Sequence, residues 1–173
     1  MATLETIVTY LQMTDPKALV GGAAADPRVA VVEVKNCTVS FYRYLYGEVG
    51  RAYHWVERRR WPDSQLAEHL ANPAIRIWLL QFEGSPAGYF ELYRDPENGV
   101  ELAYFGLLPE FIGKGLGKHL LTAATETAWS LEPRPTRVWL HTCTLDAPQA
   151  LPNYLARGFV PYKTDTELIE TID

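Results

Sequence analysis

The sequence predicts a single mixed α/β domain, and three observations lead to this fold class. The chain has 173 residues, which suits one domain, and 47% of them are hydrophobic, enough for a buried core. Helix-like patterns are prominent in the N-terminal third, whereas strand patterns follow from residue 74 onward. Three successive strands and then a strand-helix-strand order predict an antiparallel meander that feeds a strand-helix-strand unit.

The N-terminal third is expected to hold two strands and two helices. Loose alternation and β-branched residues indicate the strands, while a capping Thr38 and an opening Pro62-Asp63-Ser64 indicate the helices. The expected elements are a strand over 6–13, a mobile connection over 16–27, a strand over 29–34, a helix through the aromatic residues 41–46, and a helix that Asn72-Pro73 ends.

The rest of the chain is expected to alternate strands and helices. The segment 100–108 is almost entirely apolar, which predicts a central strand covered on both faces. The helix after it places Leu116, Leu120 and Ala124 on one face. The expected strands lie over 74–82, 87–94, 100–108 and 136–143, the helices over 114–129 and 148–156, and a last strand pair runs from Gly158-Phe159 through 169.

Charge and cysteine content exclude several classes of function. The net charge is −5, from 16 basic and 21 acidic residues, which argues against nucleic-acid binding. The two cysteines form no CxxC pair and cannot make a four-ligand zinc site, so we expect reduced thiols and no metal. The N-terminus does not resemble a signal peptide, and no apolar run approaches the ~20 residues that span a bilayer. We therefore expect a cytoplasmic protein with no membrane partner.

A glycine-rich turn between a strand and a helix carries the clearest functional signal. Gly113, Gly115 and Gly117 alternate just after the apolar strand. Glycines let the backbone approach a ligand, and the unpaired N–H groups at a helix start attract phosphate oxygens. The same glycine spacing is compatible with a dinucleotide-binding turn or with a tight turn that binds no ligand. The dinucleotide alternative fits poorly, because Glu132 lies in a loop and the turn is not the first unit of its fold.

This turn resembles the signature of the GNAT superfamily of N-acetyltransferases, Arg/Gln-x-x-Gly-x-Gly/Ala. The signature falls on Ile112-Gly113-Lys114-Gly115-Leu116-Gly117, with Pro109 before it, and Ile112 replaces the leading Arg or Gln. A second GNAT pattern, Ala-x-x-x-Tyr-x-x-x-Gly-Phe, matches Ala150 through Phe159. The resemblance covers residues 74–162, and residues 1–72 show no motif.

The resemblance implies a mostly antiparallel central sheet flanked by helices. It also implies one domain over 1–173, in which residues 1–73 form a variable acceptor-side part, 74–162 bind acetyl-CoA and 163–173 form a terminal strand. The implied reaction moves an acetyl group from acetyl-CoA directly to a primary amine of a small molecule or protein, and a homodimer is compatible with it. A non-catalytic CoA-binding module and a nucleotide-binding domain are the alternatives.

The implied acetyl-CoA ligands lie on the strand, the turn and the second motif. They are Phe105, Leu107, Leu108, Gly113, Lys114, Gly115, Leu116, Gly117, Lys118 and Asn153. The backbone N–H of Leu107 is the implied donor to the carbonyl oxygen that becomes negative during transfer.

Three residues are candidates for the general base that deprotonates the amine. Glu101 lies in the apolar strand, at the spacing of the catalytic glutamate in GNAT histone acetyltransferases, and burial would raise its pKa. Glu91 would share a face with Glu101 if Arg94 pairs with Val100. His141 lies on the following strand. The alternative interpretations are a solvated strand-end glutamate for Glu101 and a hydrogen-bonded histidine for His141.

Tyr154 is the candidate acid that protonates the leaving thiolate, and its alternative interpretation is a packed tyrosine. The basic run Arg58-Arg59-Arg60 is interpreted as a solvated face, with steering of an anionic acceptor or of CoA phosphates as the alternative. The neighbouring Tyr53, Trp55 and Trp61 are either core residues or the wall of an acceptor pocket.

Overall fold

A single seven-stranded sheet organises the structure, a computed structural model that describes residues 2–22 and 26–171. The strand order is β2-β3-β4-β5-β6-β1-β7, and every neighbouring pair is antiparallel except β5 and β6. The strands are β1 (Thr3–Met13), β2 (Val29–Glu33), β3 (Ile75–Phe82), β4 (Ser85–Asp95), β5 (Gly99–Leu107), β6 (Val138–Cys143) and β7 (Val160–Glu170). The helices are α1 (Val39–Gly50), α2 (Asp63–Ala71), α3 (Leu116–Ser130) and α4 (Ala150–Ala156). The predicted α/β fold class with a mostly antiparallel sheet is confirmed.

Two hydrophobic clusters cover the two faces of the sheet. On one face α3 packs its buried side chains, Leu120 and Ala124 among them, against Phe90 and Leu102. On the other face α1 and α2 pack against alternate residues of the same strands, such as Tyr89. The predicted cap of α1 is present, because the Thr38 hydroxyl accepts the Phe41 N–H at 3.3 Å.

Several predicted boundaries are wrong for local reasons. The helix expected at 114 begins at Leu116, because Gly115 has a φ of 77° that a right-handed helix cannot include. The expected last strand pair is the single strand β7, which pairs along β1. In the expected mobile connection, residues 16–18 form a 3₁₀ turn, and Gly22 donates its N–H to Thr122 Oγ1 at 3.1 Å. Residues 23–25 of that connection lie outside the described residues.

The centre of the sheet is distorted at β5. Arg94 pairs with Val100 as expected, but Glu91 lies opposite Tyr104 while Leu92 lies opposite Leu102, so Ala103 forms a β-bulge without a partner. Because of the bulge, Tyr104 is on the same face as Glu101, and Phe105 turns toward the α3 side.

β5 and β6 diverge soon after they begin. Only Val100 and Glu101 pair with residues of β6, namely Val138 and Trp139. Beyond this point the two parallel strands separate, and the edge of β5 from the bulge to Leu107 faces a gap in the sheet. The expectation that this strand is covered on both faces is wrong for this part, because its side chains are only half-buried.

Candidate active site

The gap between β5 and β6 opens into a cleft of about 1200 Å³. Its walls come from the loop after α1, the C-terminal part of β5, the turn before α3, the end of β6 and α4. Side chains from both ends of the sequence meet here, because Val8 of β1 and Glu167 of β7 also line the cleft.

The glycine-rich turn forms one end of this cleft. Gly113 and Gly115 have φ values of 82° and 77°, in the left-handed region, and a Cβ added at either would meet no atom within 4 Å. The two glycines therefore border open space on the cleft side of the turn. No side chain caps α3 at Gly115, so the first N–H groups of the helix are available to an anion.

Seven of the ten implied acetyl-CoA ligands lie on the cleft wall: Phe105, Leu107, Gly113, Gly115, Gly117, Lys118 and Asn153. The side chains of the other three point elsewhere. Leu108 and Leu116 are buried in the two hydrophobic clusters, and the Nζ of Lys114 lies over the ring of Phe111.

Asn153 joins α4 to the turn and carries an unused acceptor. Its Nδ2 donates to the carbonyl of Gly117 at 3.3 Å, which fixes the orientation of the amide. Its Oδ1 is buried without a hydrogen-bond partner among residues 2–22 and 26–171. A buried polar atom without a partner is unfavourable, and Asn153 lines the cleft, so a donor from a ligand would relieve this cost.

The backbone of β5 presents further donors to the cleft. Leu108 donates its N–H to the Ala87 carbonyl of β4 at 2.8 Å, and successive N–H groups of a strand point to opposite edges. The N–H groups of Leu107 and Phe105 therefore point away from β4, toward the side on which β6 has separated.

Glu101 has the properties of a general base. Its side chain is 17% exposed, and it lies in the cleft where β5 and β6 diverge. Burial, reinforced by the nearby carboxylate of Glu91, raises the pKa of Glu101 to about 7. A carboxylate with this pKa is about half ionised at pH 7 and is basic enough to take a proton. The alternative of a fully solvated strand-end glutamate does not fit this burial.

His141 faces Glu101 across the cleft. Its Nε2 lies 3.8 Å from Glu101 Oε1, which is too long for a direct hydrogen bond. Desolvation by the surrounding protein lowers the pKa of His141, although 48% of the side chain is exposed, so the imidazole is neutral at pH 7. A neutral His141 is chemically able to act as a base, but Glu101 is the more enclosed of the two.

Glu91 is held in a buried ion pair. Arg58 Nη1 donates to both Glu91 oxygens at 2.7 Å, and the Tyr42 hydroxyl donates to Oε1 at 2.7 Å. His69 Nε2 lies 3.3 Å from Oε2. Burial alone would raise the pKa of Glu91, but the hydrogen bonds and charges of His69 and Arg58 outweigh it and lower the pKa. A carboxylate with so many donors is a poor proton acceptor, although it shares a face with Glu101 as expected.

Tyr154 lies on α4 beside the backbone of β5. Its ring packs 6.1 Å from that of Phe105 and 6.3 Å from that of Phe159, centroid to centroid, so the packing interpretation is correct for the ring. Burial raises the pKa of Tyr154 above its usual value, so the hydroxyl keeps its proton at neutral pH. The hydroxyl makes no hydrogen bond with the described residues, and Tyr154 lines the cleft.

Sequence reasoning missed the role of Arg58. The basic run was expected to be a solvated face, which is wrong for Arg58, because it pairs with the fully buried Glu91 and lies over the ring of Tyr104 at 4.4 Å. The available signal was Glu91 itself, since a carboxylate on a buried strand needs a cation.

The aromatic residues near this run have different surroundings. Tyr53 and Trp55 line the cleft, as the acceptor-wall interpretation expected, and Trp61 packs on His69.

The fold and the cleft define an α/β protein with a glycine-rich turn at the start of a helix and a largely buried carboxylate on the adjoining strand. The sequence profile of the acetyltransferase (GNAT) family matches residues 42–159, more than half of the chain. The chain therefore belongs to the GNAT family of acetyltransferases. No curated protein matches it in sequence.

Solved structures with the same fold are distant in sequence. A GCN5-related N-acetyltransferase from Sphaerobacter thermophilus superposes with a TM-score of 0.67 at 14% identity, over 94% of this chain and 50% of that one. A GCN5-related N-acetyltransferase from Kribbella flavida gives 0.65 at 20% identity, over 94% and 56%. A tandem GNAT protein from the clavulanic acid biosynthesis pathway gives 0.64 at 19% identity, over 96% and 55%. The chain thus spans about half the length of these three proteins.

Two further findings concern the surroundings of the site. Within residues 2–22 and 26–171, no helix is long and apolar enough to cross a membrane. The same residues contain no group of three or more His, Cys, Asp or Glu side chains placed to hold a metal ion.

The buried pair between Arg58 and Glu91 gives a prediction about stability. Glu91→Gln should lower the free energy of unfolding by about 3–5 kcal/mol, because it leaves the guanidinium buried without its counter-charge. Urea unfolding measures this change. Glu33→Gln is the matched control, since it breaks the more exposed pair with Arg76 and should cost less than about 1 kcal/mol. Equal losses of unfolding free energy in the two variants would show that the buried pair stabilises the fold no more than the exposed pair does.

Proposed function

We propose that this protein transfers the acetyl group of acetyl-CoA to a primary amine of a small molecule or a protein, by direct attack with both substrates bound. The observation that carries the proposal is the shared cleft. One strand, β5, presents a carboxylate with a pKa of about 7 near its start and leads into an anion-attracting turn at its end. Holding an amine and a thioester together in such a cleft supplies much of the rate acceleration.

The residues present fit acetyl-CoA. The free N–H groups at the start of α3 suit the pyrophosphate, and the left-handed glycines leave space for its approach. The unpartnered Asn153 Oδ1 and the outward N–H of Leu107 suit the amide groups of the pantetheine arm, which are hydrogen-bond donors and acceptors. Bound acetyl-CoA would supply an activated acetyl group as a thioester.

Glu101 takes the proton that blocks attack. A lysine-like amine has a pKa of about 10.4 and is an unreactive ammonium at neutral pH. Glu101 accepts one proton from it, directly or through a water, and the freed nitrogen lone pair forms the new bond to the acetyl carbon. The carbon–sulfur bond breaks at the same centre, and its electron pair leaves on the CoA sulfur. The nitrogen, which became positively charged on forming the new bond, loses its second proton to solvent, so that a neutral amide remains.

The spacing along β5 favours Phe105 over Leu107 as the donor to the acetyl oxygen. At about 3.3 Å per residue, Leu107 lies about 20 Å along the strand from Glu101, whereas Phe105 lies about 13 Å away. A glutamate side chain, a water and an amine bridge the shorter distance. The ring of Phe105 also touches that of Tyr154, the proposed acid. The N–H of Leu107 then contacts the pantetheine arm instead.

Tyr154 returns a proton to the leaving sulfur. A thiol has a pKa of about 8.5, so the thiolate is stabilised by a nearby hydroxyl that donates to it. The raised pKa of Tyr154 keeps that hydroxyl protonated until the thiolate forms. Because this pKa is higher than that of the thiol, the hydroxyl first donates a hydrogen bond, and the proton transfer is completed as the tyrosine is reprotonated. The tyrosinate regains its proton from solvent as the products leave.

The acceptor end of the cleft favours an amine. Glu57, Glu101 and Glu167 line it, and none of them forms an ion pair with a Lys or Arg among residues 2–22 and 26–171. Arg58 is neutralised by Glu91. An excess of carboxylates attracts an ammonium group and repels an anionic acceptor.

The free thiols Cys37 and Cys143 are compatible with the reducing cytoplasm, where we propose the reaction occurs.

Gly115→Val tests the proposed cofactor site. A β-branched side chain at a φ of 77° strains the turn and fills the space above α3, so CoA binding should be lost in calorimetric titration. Gly84→Val is the matched control, because Gly84 has a φ of 86° in the β3–β4 turn, away from the cleft. If Gly115→Val binds CoA as tightly as Gly84→Val does, the cofactor site is elsewhere.

The pH dependence of kcat/KM tests Glu101. In the wild type, kcat/KM should fall as pH drops through about 7, because Glu101 becomes protonated. Glu101→Gln should lower kcat/KM at pH 7 by about 100-fold or more, and its rate should keep rising toward the amine pKa as free amine appears. His141→Gln should show a smaller loss and keep the limb near pH 7. Loss of that limb in His141→Gln alone would assign the base to β6.

Tyr154→Phe separates proton donation from packing. It keeps the ring contacts and removes the hydroxyl, so kcat should fall about 100-fold while the Kd for CoA changes little. Tyr162→Phe, on β7 outside the cleft, controls for loss of a tyrosine hydroxyl and should leave kcat unchanged. An unchanged kcat in Tyr154→Phe would leave Tyr154 with a packing role alone.

A further inference from the structure

Arg157 is a buried basic residue. It is 8% exposed, and its Nε and Nη1 are buried with no hydrogen-bond partner among the described residues. No ion pair of Arg157 occurs within residues 2–22 and 26–171. Burying part of a guanidinium without a partner is unfavourable, and an anion bound beside Arg157 would compensate for this cost.

The guanidinium lies beside the first turn of α3. A Cβ built on Gly22 would be 1.9 Å from Arg157 Nη1 and 3.0 Å from the Cβ of Lys118, so the three residues meet at one place. Arg157 and Lys118 both line the cleft, and Asn153 is one turn earlier on α4. The unpaired N–H groups at the start of α3 are therefore close to two basic side chains.

The segment 19–22 covers this place. Val20 donates its N–H to the carbonyl of Arg157 at 3.0 Å, and Gly22 donates to Thr122 Oγ1 at 3.1 Å. These bonds tie the segment to α4 and α3, and its backbone shields the guanidinium from solvent. The absence of a side chain at Gly22 leaves the room that the guanidinium occupies.

We propose that Arg157, with Lys118, binds the pyrophosphate of acetyl-CoA. The inference rests on the proposed function, and it adds a binding residue at a position that the second sequence motif leaves unspecified. An arginine presents a planar fork of N–H donors that matches two phosphate oxygens. Of the phosphate groups of CoA, the pyrophosphate is the one that the turn and the start of α3 would hold, and Arg157 lies next to that helix start.

Arg157→Met tests the charge while keeping an unbranched apolar stem. In calorimetric titrations it should weaken binding of CoA about 10- to 100-fold, the range for losing a hydrogen bond between charged groups. Dephospho-CoA, which keeps the pyrophosphate, should lose the same factor, and pantetheine, which has no phosphate, should lose none. An effect on CoA without one on dephospho-CoA would place the contact at the 3′-phosphate and overturn the assignment.

A second pair of variants moves the guanidinium without removing its charge. Gly22→Ala places a methyl group where Arg157 Nη1 now lies, so the side chain must shift and the affinity for CoA should fall. Gly21→Ala is the control, because a Cβ there meets no atom within 4 Å, and its affinity should stay at the wild-type value. Equal affinities in the two variants would contradict the proposal.

Thermal unfolding distinguishes binding from a structural role. If Arg157 serves a ligand, the ligand-free Arg157→Met variant should be at least as stable as the wild type, because an unpaired buried charge has been removed. A loss of stability together with weaker pantetheine binding would show a structural role and overturn the proposal. If the wild type binds no CoA, the proposed function fails as well. If the wild type binds CoA and Arg157→Met binds it equally, only the present inference fails.

Discussion

β5 and β6 share hydrogen bonds only at their beginnings, and the rest of the site depends on that divergence. A parallel pair that stayed together would bury the N–H groups of Phe105 and Leu107 in the sheet. The separation leaves these donors free and opens a cleft that reaches the start of α3. The bulge at Ala103 adds to this effect, because it turns Tyr104 toward the acceptor side and Phe105 toward Tyr154.

Two glutamates on neighbouring strands show how environment separates chemical roles. Glu91 is completely buried, yet its pKa is lowered, because Arg58, Tyr42 and His69 supply donors and positive charge. Glu101 is less buried and has no such partners, so its pKa rises to about 7. The charge on Glu91 contributes to that rise, so the ion pair that fixes the acceptor-side helices to the sheet also tunes the proposed base.

The sequence was most informative where function depends on local backbone geometry. The glycine turn was predictable because left-handed φ values favour glycine at 113 and 115, and the strands of the meander were predictable from their apolar runs between turn residues. The position of β1 between β6 and β7 was not, since long-range strand pairing leaves no local pattern. Arg58 and Arg157 were missed for a related reason: each is buried by contacts with distant segments, whereas an arginine in isolation is usually solvated.

Some of the polar groups that lack partners lie on residues that line the cleft. Among the described residues, four of the seven buried side-chain atoms without a partner lie away from the cleft, whereas Asn153 Oδ1 and Arg157 Nε and Nη1 belong to residues that line it, as do the outward N–H groups of β5. Each destabilises the ligand-free protein, because a desolvated donor or acceptor without a partner is unfavourable. A ligand with phosphates at one end and amides along its length satisfies them together. Binding of such a ligand therefore also stabilises the fold, because it supplies partners for these groups.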